Sequence, residues 1–268
     1  MKKVLIAGCA FLSISLVQAQ QKQGLVLYER TSQMQIRIAD MPGGMENHLP
    51  NSRMDKFELT FGNNQSLWKI AEQEASSDNI TSSDGGMQIR MVVAGNDDVL
   101  YHNFETNKKT EKKELMDKSF IIDDSIRSLK WKMTGETKTI LNIPCMKATT
   151  TRISTRTMMN MDNGKMERKE IQDTSTIVAW FTSSIPVSAG PAEFQGQLPG
   201  LILEMDIKDG TQTFKAVNIS EKADLAIIKE PTGKKHYTPE EFKIEREKMM
   251  EEMNMNNQGG GRRIIRMN

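Results

Sequence analysis

The chain has 268 residues, 37% hydrophobic and 26% charged, and its 36 Lys and Arg against 35 Asp and Glu leave a formal net charge of +1. That balance excludes a nucleic-acid binder working through a basic surface. Two cysteines in the whole chain exclude a disulfide framework. The first segment, MKKVLIAGCAFLSISLVQAQQ, reads as a secretory signal peptide over 1–19. Lys2 and Lys3 form its charged start, Val4 to Val17 its apolar run, and Val17-Gln18-Ala19 its small-residue cleavage site. It is shorter than the roughly 20 apolar residues a membrane span needs. The rival reading is a lipoprotein signal at Ile6-Ala7-Gly8-Cys9, with Cys9 acylated. It is disfavoured because the apolar run continues past Cys9 through Phe11, Leu12, Ile14 and Leu16. Cleavage after Ala19 removes two lysines and no acid, which turns the net charge from +1 to −1. It also leaves Cys145 as the only cysteine, so stability must come from a core, which a chain of about 250 residues can bury. No later stretch is long and apolar enough to cross a membrane. The expected location is exported, either periplasmic or secreted.

Residues 20–232 read as an antiparallel β domain. Leu25-Val-Leu-Tyr28, Met34-Gln-Ile-Arg-Ile38, Phe57-Glu-Leu-Thr-Phe61 and Met87-Gln-Ile-Arg-Met-Val-Val93 alternate apolar with polar residues, and Gly62-Asn63-Asn64 and Gly95-Asn96-Asp97 close two of them. Period-two alternation ended by such turns marks half-buried strands of a meander. Residues 40–53 and 74–86, rich in Pro, Gly, Ser and Asp, read as loops. The charged run Asn107 to Glu114 reads as a solvated hairpin tip with its flanks. Asn163-Gly164 signals a two-residue type I′ turn, which places Met161 opposite Met166 with Met159 on the same face.

Residues 190–217 hold a Gly- and Pro-rich start followed by an alternating run. Pro199-Gly200 suits the centre of a type II turn, with positive φ at Gly200. Asp209-Gly210 signals a second type I′ turn. It sets Met205 against Phe214 and Leu203 against Ala216 on one face, and Glu204 against Lys215 as an ion pair on the other. A phosphate cradle is excluded, because no Lys-Ser/Thr follows the glycines and a strand, not a helix, comes next. The fold class is therefore mainly β: a curved antiparallel meander, open like a half-barrel. Residues 233–268 add a C-terminal helix and a flexible tail. Thr238-Pro-Glu-Glu241 opens the helix as a capping box, with Phe242, Met249 and Met253 on one face, and the helix fades from Asn254 into Gly259-Gly-Gly.

Several blocks together carry a resemblance: Trp131-Lys-Met-Thr-Gly-Glu-Thr-Lys, Ile143-Pro-Cys-Met-Lys-Ala148, Ala179-Trp-Phe-Thr-Ser-Ser-Ile-Pro186, Gly190-Pro191 and Leu198-Pro-Gly-Leu-Ile202. The combination resembles the GLPGLI family of exported bacterial proteins. The resemblance implies an exported, largely β protein with no assigned activity, and it transfers no catalytic residue. The structural motif it marks is Gly190, Pro191, Leu198, Pro199, Gly200, Leu201 and Ile202, a corner that delivers a strand into the sheet. One departure is that the motif's leading glycine is Gln197 here, after Gly196.

Chemistry-bearing patterns are sparse. His48, His102 and His236 are scattered, and no H-E-x-x-H, G-x-S-x-G or paired C-x-x-C occurs. Cys145 reads as a buried strand residue. Twenty methionines are the anomaly. Thioethers suit Cu(I), and Met159, Met161 and Met166 would be the ligands, but methionine is also an adaptable apolar filler. No cofactor is expected. The leading expectation is a non-enzymatic binding or envelope-associated module whose partner is an apolar small molecule or a cell-envelope protein. The alternatives are a thioether copper binder and a hydrolase.

Overall fold

The structure, a computed structural model, describes residues 21–33, 52–71, 98–162 and 165–259, and within these the side chains of 156–170 and 253–259 are not described. The signal segment, the strands expected at Met34–Ile38 and Met87–Val93, and most of the two expected loops lie outside the described residues.

One twelve-stranded sheet organises the chain. Its strands are β1 (Gly24–Gln33), β2 (Ser52–Gly62), β3 (Gln65–Ile70), β4 (Val99–Asn103), β5 (Lys108–Leu115), β6 (Lys118–Ser125), β7 (Lys132–Ile140), β8 (Ile143–Asp162), β9 (Lys165–Thr182), β10 (Leu201–Ile207), β11 (Gln212–Ser220) and β12 (His236–Tyr237), followed by helix α1 (Pro239–Gly259). The spatial order is β12-β6-β5-β4-β3-β2-β1-β11-β10-β9-β8-β7. Two meanders, β1 to β6 and β7 to β11, are thus joined where β1 pairs with β11. Every ladder is antiparallel except the short β12–β6 pair.

Chain length forces this sheet to curl. In a flat sheet, ten inter-strand gaps between β6 and β7 would separate them by about 48 Å. The link from Ser125 to Lys132 spans at most about 25 Å when extended. The sheet bends so that its two edges approach without pairing, giving the open half-barrel expected from the meander pattern.

The turn chemistry follows the sequence closely. Asn63 and Asn64 have φ of 52° and 58°, a left-handed pair as a type I′ turn requires, whereas Lys208, Asp209 and Gly210 have 57°, 50° and 82°, so the left-handed run starts one residue before the expected Asp209-Gly210 pair, with Thr211 N donating to Lys208 O. Glu204 pairs with Lys215 and Met205 with Phe214, the expected register. The ion pair goes elsewhere: Glu204 binds Lys138 of β7 at 2.8 Å, and Lys138 also lies 4.4 Å over the Trp180 ring. Met161 pairs with Met166, again as expected. Past Thr151 and Thr176, β8 and β9 run on as a two-stranded ribbon with no third strand among the described residues.

Three expectations need correction. Of the charged run Asn107 to Glu114, expected as a solvated hairpin tip with its flanks, only Asn107 lies in a tip, and 108–114 are strand β5 within the sheet. Its alternating Lys and Glu suit a strand whose residues pair across to β4 and β6, and the tips lie at 104–107 and 116–117. Residues 52 and 53, assigned to a loop, begin β2. The helix does not fade at Asn254 but reaches Gly259.

The main core lies on the inner face of the curl. Val26, Tyr28, Leu59, Phe61, Ala148, Ile177, Ala179, Leu203 and Met205 have no measurable exposure there. Residues 221–235 cross the outer face, where Ile228 packs with Leu67 and Tyr101. They lead into β12 and α1. Phe242 and Met249 of α1 pack on Phe120 and Ile122 of β6, with the Phe120 and Phe242 rings 5.2 Å apart. Both halves of the capping box form: Thr238 N donates to Glu241 Oε2 at 2.8 Å, and Glu241 N donates to Thr238 Oγ1 at 3.2 Å.

Candidate functional site

Residues 183–200 fill much of the half-barrel's hollow as an internal plug. Ile185, Ala189, Phe194 and Leu198 join the main core, and burying a Phe or Leu contributes about 1.5–3 kcal/mol. The plug keeps its backbone paired without being a strand. Val187 N donates to Ile185 O, Ala189 N to Val187 O and Gly200 N to Leu198 O, three tight turns in one segment. Leu201 N and Ile202 N then donate to Ile185 O and Ala189 O, which ties the segment back on itself.

The motif residues are all here, doing structural work. Leu198, Leu201 and Ile202 are core, Pro191 is buried and Pro199 is exposed. A Cβ on Gly190 would sit 2.8 Å from the Ile202 side chain, so the two motif halves touch. The type II turn is not formed: Gly200 is not among the glycines with positive φ, and its N–H closes a three-residue turn around Pro199 instead. The glycine is needed for a different reason, since a Cβ there would lie 2.1 Å from the Thr182 carbonyl oxygen. Nearby, Gly196 does hold a left-handed φ of 72°.

Polar side chains bind the plug to β3 and to the link between β6 and β7. Ser66 of β3 donates to Gln195 Oε1, and both residues are fully buried. Gln197 Oε1 accepts from Leu129 N at 2.9 Å and Trp131 Nε1 at 3.2 Å, and its Nε2 donates to Arg127 O. Tyr28 donates its hydroxyl to Ile202 O, and its burial pushes the phenol pKa far up.

Beside the plug a cleft of about 520 Å³ stays open. Phe57 and Trp68 form its floor, stacked 4.9 Å apart with planes 10° from parallel. Arg30 and Arg53 line one end. Both reach the buried Asp55, each at 2.7 Å, and the Arg30 guanidinium lies 4.6 Å over the Phe57 ring. Lys109, Glu111 and Lys113 of β5 line the far side, and the plug's Ala192 and Glu193 close the rim. Ala192 holds φ of +49°, an unfavourable conformation for a residue with a Cβ.

Other chemistry-bearing residues are placed as follows. His102 is fully buried beside Ser66, with neither ring nitrogen hydrogen-bonded among the described residues. Burial, then the charge of Lys109, pulls its pKa down to about 3, so it is neutral at ordinary pH. Cys145 is buried in β8, and burial pushes its thiol up, which makes it a poor nucleophile. His236 is exposed on the outer face and bonds Asp123 at 2.7 Å. His48 lies outside the described residues, as do the side chains of Met159, Met161 and Met166. No cluster of three His, Cys, Asp or Glu suited to a metal occurs among the described residues, and none of their helices is long and apolar enough to cross a membrane. The cleft residues were missed in the sequence. The one available signal was Arg53, Asp55 and Phe57 at period two, a charged continuation of the apolar β2 stripe.

Residues 131–204 match a family described as "Protein of unknown function (Porph_ging)". No curated protein matches the chain. Two solved structures of PNGF-II, in the C2 and P21 space groups, are similar at 16% and 15% identity with TM-scores of 0.47 and 0.48. They cover 81% and 83% of this chain but only 31% and 32% of their own, so the chain spans about a third of that protein's length.

Proposed function

We propose that the chain is an exported, non-enzymatic binding module of the GLPGLI type, and that the cleft beside the plug is its recognition site. The observation that carries this reading is the cleft itself: an open space of about 520 Å³ lined by Phe57, Trp68 and charged side chains, beside the core-packed plug. Ligand sites are commonly concave, mostly preformed and of about 300–1,000 Å³. The expectation of a wholly apolar ligand is narrowed here. The apolar part of the hollow is occupied by the chain's own Phe194 and Leu198, and the open part is amphipathic. A binding role also accords with a Cys145 that is buried and whose thiol pKa is raised by that burial.

The test is titration of the purified mature chain with two dyes, N-phenyl-1-naphthylamine and 8-anilino-1-naphthalenesulfonate, followed by dye emission. At least one dye should bind saturably at one site, and Ile70→Trp, which fills the cleft from the Phe57 and Trp68 face, should abolish that binding. Absence of saturable binding by either dye, or binding untouched by Ile70→Trp, would refute the reading. Export is tested separately by mass spectrometry: the mature chain should begin at Gln20, and an acylated Cys9 terminus would replace a free exported protein with a membrane-tethered one.

A further inference from the structure

We infer that His102 is an acid-sensitive latch beneath the plug: while its imidazole is neutral, residues 192–197 stay seated on β3 and β4, and a proton taken up by the ring unseats them. A latch of this kind needs no ligand in the cleft. Ser66, His102, Lys109 and Asp124 are cross-strand partners on β3, β4, β5 and β6, so their side chains form one row on the inner face. Leu100 and Phe104 flank His102 along β4, and the His102 and Phe104 rings lie 6.2 Å apart. The plug closes over this row. The Ser66 hydroxyl donates to Gln195, and a Cβ on Gly196 would sit 2.6 Å from Ile126, just past β6.

An imidazole carries one N–H and one lone pair when neutral and two N–H groups when charged. His102 has no exposed surface, and neither of its nitrogens is hydrogen-bonded among the described residues. The charged groups around it are already engaged. Lys109 pairs with Asp124 at 3.1 Å, and Asp124 also takes Arg127 of the 126–131 link at 3.3 Å. Farther along β5 Glu111 pairs with Lys113 at 2.8 Å, and the plug's Glu193 pairs with Arg152 at 2.8 Å. β3 brings Ser66 and Trp68 to this face, neither of them charged. The charge felt most at the ring is that of Lys109, next to it on β5, and it repels an imidazolium. A proton is therefore held only once water reaches the ring. β4 is fixed by ladders on both sides, whereas 192–197 belong to no strand and Ala192 already holds a strained φ of +49°, so the plug is the element that yields. With the plug seated, burial and then Lys109 hold the ring's pKa at about 3; with it lifted, the ring regains its ordinary value near 6.5. Stability from such a group is intact above pH 6.5 and is lost as pH falls from there toward 3. Lifting thus becomes about tenfold easier for each pH unit below 6.5. Ala192 and Glu193 also rim the cleft, so the same proton loosens that rim.

Amide exchange of the mature chain at pH 7 and pH 5 tests the latch. The protection factors of the Phe194 and Gly196 amides, which donate to Pro191 O and Ser188 O, should fall about 30-fold between the two. Those of the β1–β11 ladder should hold. His102→Phe, which keeps a ring against Phe104 and removes the proton site, should abolish the fall. His102→Asn, uncharged at both pH values, should abolish it too and serves if the larger ring disturbs folding. In the parent, the His102 Cε1 proton signal, assigned by its loss in either variant, should not titrate between pH 7 and pH 5. Plug protection equal at the two pH values, a fall that persists in the variants, or a fall shared by the β1–β11 ladder would each overturn the latch. So would a His102 ring that titrates near pH 6.5 while the plug amides stay protected.

Discussion

At the level of single residues, glycines and glutamines carry the architecture. The sequence marked Gly200 as special, but for a conformation the chain does not adopt. Type II turn statistics speak of local φ, whereas the constraint here is a backbone carbonyl contributed by Thr182, distant in neither sequence nor space yet invisible to a local pattern. Gly200→Ala should still destabilise. A Cβ placed 2.1 Å from Thr182 O cannot be accommodated without moving β9 or the plug, and overpacking of this kind costs about 1–3 kcal/mol. Pro199→Ala, at an exposed site, should cost less, about 1 kcal/mol or under, because it mainly frees the unfolded chain. Paired thermal melts decide it: for a domain of this size about 1 kcal/mol lowers Tm by roughly 2–4 °C. Equal melts for Gly200→Ala and the parent would mean that the plug yields freely there. Gln195 offers a second probe. Gln195→Leu keeps the volume but leaves the Ser66 hydroxyl and the Ala192 carbonyl unpartnered, which should cost about 1–3 kcal/mol in a denaturant titration.

At the level of elements, what the sequence revealed was whatever local rules govern. Hairpin registers followed from Asn-Gly and Asp-Gly because those turns admit few alternatives, and the Thr238 capping box formed as written. β5 was obscured because alternating Lys and Glu looks the same in a solvated loop as in a strand whose charges find partners on neighbouring strands. The edge formed by β6, β12 and α1 is held by such partners, and this gives it a pH dependence. Burial pushes the Asp123 carboxyl up, but hydrogen bonds from His236 and Thr110 and the charge of Lys108 outweigh it, and the net pKa is lowered. Asp124 follows the same pattern, with Lys109 and the Ser125 amide as the chief opposing partners. Glu241 is lowered mainly by the Thr238 amide. A depressed carboxylate contributes stability that is present above its unfolded pKa, near 4, and lost as pH falls through the lower folded value. The protection factors of the α1 and β12 amides should therefore fall below about pH 4 while those of β1, β10 and β11, whose ladders contain none of these groups, hold. Uniform loss of protection across the sheet would contradict it. Thr238→Ala should expose α1 in the same experiment at neutral pH, by about 1 kcal/mol.

At the level of the whole molecule, the fold is two meanders held by one ladder and one plug. The meander class was legible because every described strand alternates or is bounded by turn residues. The closure was not, since β1 beside β11, and an edge-to-edge link over 126–131, are contacts between distant parts of the chain that no periodicity announces. The cleft was hidden for the same reason: its aromatic floor comes from β2 and β3, its arginines from β1 and β2, its far wall from β5 and its rim from the plug. Gln197 stands where this logic is most exposed. It occupies the place of the resembled motif's leading glycine, and its amide serves the link between the two sheet edges, accepting from Leu129 and Trp131 and donating to Arg127. A glycine there would leave the Leu129 amide, the Trp131 indole N–H and the Arg127 carbonyl without those partners. The first two groups are only part-buried and the third is exposed, so water takes up some of the loss, and Gln197→Gly should cost about 1–3 kcal/mol. The effect should also be directional. Gln197 ties the plug to the β6–β7 link, whereas Ser66 and Gln195 tie it to β3. Loss of the first tie should free the 126–131 link and β7 before the β1–β6 meander, seen as early exchange at Leu129 and a red shift of Trp131 emission with the β2–β3 amides still protected. A melt like the parent's, with Trp131 emission unchanged, would mean that the two edges are held together by the β1–β11 ladder and the buried plug side chains alone.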